Sequence, residues 1–120
     1  MEVGQSAEIT RRYSRQDLEA FGALIDMTAA APDTVPEPLI AALFSYLLGV
    51  RLPGPGTNYL KQEMRFLRSA PLDTDLTARV TISRFRADGH LVDLWATCET
   101  SDRNLVCEGR SLVLAKDVGA

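Results

Sequence analysis

From Leu39 to Leu48 the chain reads Leu-Ile-Ala-Ala-Leu-Phe-Ser-Tyr-Leu-Leu, and only Ser45 and Tyr46 carry a polar side-chain atom. A helix that is apolar on nearly every face is a buried one, so the rest of the chain has to supply its cover. The flanks mark its ends. Pro36-Glu37-Pro38 suits a first turn, because proline lacks an N–H that would be orphaned there anyway and a carboxylate favours the positive end of the helix dipole. Gly49 is the expected C-terminal signal, and Pro53 and Pro55 keep the helix from resuming.

The cover is legible as strands. Residues 7 to 13 place Ala7, Ile9, Arg11 and Tyr13 on one side of a first strand. Ser14 and Asp17 then resemble a capping box, and Leu18, Phe21, Leu24 and Ile25 recur at helical spacing, which predicts a short helix over 15 to 26. After the apolar helix come four extended segments: Asn58 to Arg68, Asp75 to Ala87, His90 to Thr100 and Leu105 to Ala115. Asp88-Gly89 is a strong hairpin signal between the second and third, and Asp102-Arg103 reads as a two-residue turn before the last. With Ala87 opposite His90, Arg84 should face Asp93 as an exposed ion pair and Ile82 should face Trp95 as a buried contact. The sum is an α+β chain: one strand, a short helix, an apolar helix and a four-stranded antiparallel meander. Burying the apolar helix requires the sheet, of about five strands, to wrap around it, which is the hot-dog arrangement. A single wrapped sheet leaves an open edge, so a homodimer or a larger even assembly is expected.

Composition narrows the partners. One hundred and twenty residues, 46% of them apolar, fit one domain over 1–120. The net charge of −3 is spread along the chain without a basic run, which argues against nucleic acid. No apolar stretch reaches the roughly 20 residues needed to cross a bilayer, and Met1-Glu2-Val3-Gly4 lacks the features of a signal peptide, so a cytoplasmic protein away from membranes is expected. Cys98 and Cys107 are too few for a metal site or a disulfide framework, and the assumed turn sets them opposite each other as reduced, buried residues. No P-loop, dinucleotide fingerprint or nucleophile elbow is present, and no cofactor is expected.

Residues 39 to 62, ending in Leu52-Pro-Gly-Pro-Gly-Thr-Asn-Tyr-Leu-Lys-Gln62, resemble the central helix and following loop of the MaoC-like, (R)-specific enoyl-CoA hydratases. The opening 24 residues and the segment Phe66 to Ala115 resemble that family's first strand and helix and its sheet. The family carries a Gly-Asp-x-Asn-Pro-x-His type signature after the first helix, whose Asp and His activate the water added to an enoyl thioester. Here the matching stretch, Ile25 to Leu39, is shorter and holds no histidine. The family's His-Gly pair falls on Pro36-Glu37, and a serine one turn into the helix falls on Ala42.

The resemblance therefore implies a divergent protein of the dehydratase family that binds an apolar acyl thioester or polyketide-like chain. The ligand would be acyl-CoA, carrier-protein-linked or a free hydrophobic molecule. Asp26 and Glu37 are the catalytic candidates, with Asp33 a further acid, and Ala42, Tyr46, Gly54, Gly56, Tyr59 and Gln62 are candidates for binding substrate. His90, beside the hairpin turn, is expected to be solvated. Isomerisation, elimination or cyclisation steered by shape and one acid suits this set. The alternative is a non-catalytic acyl-thioester-binding subunit that pairs with an active hydratase.

Overall fold

The computed structural model describes residues 1–24, 34–86 and 90–118. Strand β1 (Ser6–Arg11) leads into helix α1 (Arg15–Leu24). The capping box closes in both directions: the Ser14 N–H donates to Asp17 Oδ2 at 2.8 Å, and the Asp17 N–H donates to Ser14 Oγ at 3.2 Å. Then follow β2 (Thr34–Val35), α2 (Glu37–Tyr46), β3 (Asn58–Phe66), β4 (Ala70–Pro71), β5 (Leu76–Arg86), β6 (Leu91–Thr100) and β7 (Leu105–Leu114).

Five strands form one antiparallel sheet in the order β1-β5-β6-β7-β3. The expected four-stranded meander is thus a three-stranded one, and β3 lies beyond β7 as the far edge instead of beside β5. The separate pairing of β2 with β4 helps explain this, since that short ladder draws the chain away between β3 and β5.

The core lies between α2 and one face of the sheet. Ile40, Phe44 and Leu47 meet Leu76, Val80 and Ile82 of β5, Leu94 and Ala96 of β6 and Val113 of β7, all at most 1% exposed. At about 1.5–3 kcal/mol for each large apolar side chain removed from water, these contacts are the main source of stability. One side of α2 stays uncovered: Ala42 and Tyr46 are exposed, and so is Val50 just beyond the helix, because a single sheet reaches only part of a helix's circumference.

Three local expectations need correction. Gly49 does not end the helix. The chain continues through a wider turn, Leu47–Arg51, closed by the Leu52 N–H donating to Leu47 C=O at 2.8 Å. A Cβ at Gly49 would come within 2.9 Å of Tyr59 Oη, so a close approach of β3 uses the glycine. Trp95 does not face Ile82. A bulge at Ser83 shifts the register, Ile82 pairs with Leu94, and Trp95 pairs with Thr81 on the outer face, 41% exposed. Arg84 does stand opposite Asp93, but the carboxylate is paired with Arg86 at 3.1 Å. The Ala87–His90 pairing and the Asp88-Gly89 turn lie outside the described residues.

The turn before β7 also differs, with a compensating result. The Thr100 N–H donates to Asn104 C=O, and Arg103 takes φ 63°, so the loop has three residues, not two. A bulge at Val106 restores the alignment, and Cys98 pairs with Cys107 as two free, buried thiols.

Candidate functional site

Pairing of Val35 with Ala70 and of Thr34 with Pro71 brings the entrance of α2 against the connection that follows β3. A cavity of about 430 Å3 opens between them. Val35, Ile40 and Ala70, each at most 4% exposed, form its apolar wall together with Phe66. Glu37 lies at the mouth, in the first turn of α2, and its carboxylate has no hydrogen bond or ion pair among the described residues. On the opposite rim are Arg68 and Ser69. The positive end of α2 and the Arg68 guanidinium both favour anionic or carbonyl-bearing groups here, while the interior suits hydrocarbon.

The other residues singled out in the sequence occupy a second region, further along α2. Ala42 and Tyr46 face outward from the helix, and the Arg51 guanidinium lies 5.8 Å from the centre of the Tyr46 ring. The Tyr59 hydroxyl donates to the Ser45 carbonyl, pinning β3 to α2, and partial burial pushes its pKa up. Gln62 is exposed on β3, paired across the ladder with Ser111. Gly54 and Gly56 both take φ 99°, and a Cβ at Gly56 would clash with the Asp117 carbonyl at 2.5 Å. None of these six residues borders the cavity at Glu37. Asp26 and Asp33 lie outside the described residues.

His90 is exposed in the left-handed region, at φ 55°, just before β6. Ten residues of β6 separate it from Thr100, whose end of the sheet adjoins the Arg68–Ser69 rim. At about 3.3 Å per strand residue that separation is about 30 Å.

Sequence reasoning missed Val35, Phe66, Arg68 and Ser69. Their only sequence signal is a polar Arg68-Ser69 step between Leu67 and Ala70, and its meaning depends on the β2–β4 ladder, a contact between segments 35 residues apart. Two-residue strands leave no periodicity to detect.

No family model matches the chain. It is 32% identical to the (R)-specific enoyl-CoA hydratase of Aeromonas caviae over 94% of each chain. To the (R)-specific enoyl-CoA hydratase of Rhodospirillum rubrum it is 31% identical, over 92% of this chain and 85% of the other. Among solved structures, the (R)-hydratase of A. caviae involved in PHA biosynthesis superposes with a TM-score of 0.86, 31% identity and coverage of 95% and 96%. R-hydratase PhaJ1 of Pseudomonas aeruginosa gives 0.83 at 27% identity, over 95% of this chain and 81% of that one. With near-complete overlap in sequence and a shared hot-dog architecture, the chain belongs to the family of MaoC-like, (R)-specific enoyl-CoA hydratases.

Proposed function

We propose that the chain binds an apolar acyl thioester in the cavity at the entrance of α2 and does not carry out ordinary enoyl-CoA hydration. One observation carries the reading: the chain has a single histidine, His90, and it lies at the far end of β6 from the cavity. Adding water across a double bond requires a base for the water and an acid for the product carbon, each worth about 10²–10⁴ in rate. The stretch from Ile25 to Leu39 offers only carboxylates, Asp26, Asp33 and Glu37. One carboxylate suffices for a reaction that removes a proton from one carbon and returns it to another, or that folds a bound chain into a reactive conformer. Isomerisation or cyclisation of an acyl-thioester or polyketide-like chain fits those terms, and elimination fits them only for a leaving group that departs without a second acid. Glu37 is the described group placed to act, with Asp26 as the other candidate. The outward residues Ala42, Tyr46, Tyr59 and Gln62 support a pocket that a second copy completes, since all four are exposed on α2 and β3.

The test is crotonyl-CoA hydration by the purified protein, run beside an authentic (R)-hydratase, with butyryl-CoA binding measured by calorimetry. The expected result is binding of the thioester together with turnover at least about 10²-fold below the control. Turnover matching the control overturns the reading, as does failure to bind any acyl thioester.

A further inference from the structure

Cys98 and Cys107 are nucleophilic side chains that the proposed reaction leaves unused. They stand directly opposite each other on β6 and β7, in a cross-strand row that runs Ala78, Cys98, Cys107, Phe66 over four strands of the sheet. The first three are 0% exposed and Phe66 packs against the same core, so the row faces inward, and its last member walls the cavity at α2. Burial first, and then the neighbouring Cys98 sulfur, push the Cys107 thiol up to about 12, as two sulfurs within mutual reach should.

The geometry suits one covalent change. Opposed residues of an antiparallel pair hold their Cβ atoms about 4.5–5.5 Å apart, and a disulfide needs about 3.5–4.5 Å. The bulge at Val106 adjoins Cys107 and already interrupts the ladder, so the strands can close the remaining distance there without breaking a regular run of hydrogen bonds. Access comes from the same end. The exposed turn Ser101–Arg103 begins three residues after Cys98, so fraying of the hairpin end uncovers both thiols while the rest of the sheet stays paired.

We propose that Cys98 and Cys107 are a redox-active dithiol, reduced in the resting protein and closed to an intramolecular disulfide by a small disulfide of the glutathione class. One cysteine thiolate attacks the oxidant, forming a mixed disulfide and releasing one thiol. The second thiolate attacks the cysteine sulfur of that mixed disulfide and expels the other thiol. Two S–H groups are thus oxidised to one S–S bond, the oxidant is reduced to two thiols, and the two cysteine protons end on them. Because both thiols are buried in the closed hairpin, exchange is slow and limited by its opening.

The experiment incubates the reduced wild type, Cys98→Ser and Cys107→Ser with glutathione disulfide at pH 8, in buffer and in urea just below the unfolding transition, and reads the intact mass after alkylation with N-ethylmaleimide. The wild type should lose two hydrogen atoms in mass, take up no alkyl group and keep no glutathione, and dithiothreitol should restore both alkylatable thiols. Each serine variant should instead retain one glutathione, because no second thiol displaces it. A wild type that stays reduced in both conditions, retains glutathione or links to a second chain overturns the proposal. Thermal unfolding of the oxidised wild type is the independent check. It should melt at or above the temperature of the reduced protein, and a lower Tm, which would mean that the native strands cannot accommodate the bond, also overturns the proposal.

Discussion

At the scale of single residues, Ser111 is an anomaly in an otherwise satisfied core. It is 2% exposed, and its Oγ has no hydrogen-bond partner among the described residues. An unpaired buried hydroxyl costs about 1–3 kcal/mol, more than a methyl-sized side chain loses in packing. Ser111→Ala is therefore expected to raise stability by about 1 kcal/mol in urea unfolding, and a clear loss would show that the hydroxyl is bonded in solution. The two cysteines give a pH dependence of known sign. Burial pushes the Cys98 thiol up to about 11 and the Cys107 thiol up to about 12, from an ordinary 9.0. The unfolded chain then loses those protons at lower pH than the native one, so stability should fall as pH rises from about 9 to about 11. At pH 8 both thiols should resist Ellman's reagent until urea is added. Rapid labelling of the native protein would count against this.

At the scale of elements, β3 is the strand most exposed to error. Among the described residues it is an edge, paired only with β7, and it passes so close that a Cβ on Gly109 would lie 1.9 Å from the Glu63 carbonyl. Backbone cannot yield as a flexible side chain can. Gly109→Ala should therefore cost about 3 kcal/mol or more by thermal unfolding, beyond the usual range for overpacking. Gly49→Ala, which meets only the far end of Tyr59, should cost clearly less. Equal losses would mean that β3 moves aside freely. The strands, the capping box and the start of α2 were readable because each rests on contacts within a few residues. The place of β3 was not readable: nothing in Asn58–Phe66 distinguishes β5 from β7 as its neighbour, and the choice was made by the β2–β4 ladder and by the close approach at Gly109.

At the scale of the whole molecule, apolar surface remains where the fold is open. Tyr46 at the end of α2, Val50 in the wider turn that follows it, and Tyr59 and Leu60 on β3 are each at least 38% exposed, and the edge of β3 runs beside them. A second copy related by a two-fold axis would cover this flank and satisfy the edge together. Light scattering should give twice the mass of the chain, and Leu60→Asp with Val50→Asp should shift it to the monomer. A monomeric wild type would sink this, and co-purification with a different hydratase chain would transfer the flank to a heterodimer.

Local chemistry in the sequence settled that a nearly all-apolar helix begins after Pro36, that antiparallel strands must cover it, and that residues 25 to 39 hold no histidine. Those features depend on neighbours in the chain or on residue identity alone. Three outcomes belong to the folded molecule. The sheet order placed β3 at the edge, the β2–β4 ladder created a cavity from Val35, Phe66 and Arg68, and the limited span of one sheet left Ala42 and Tyr46 uncovered. Each depends on which distant segments meet, and side-chain periodicity carries no record of that.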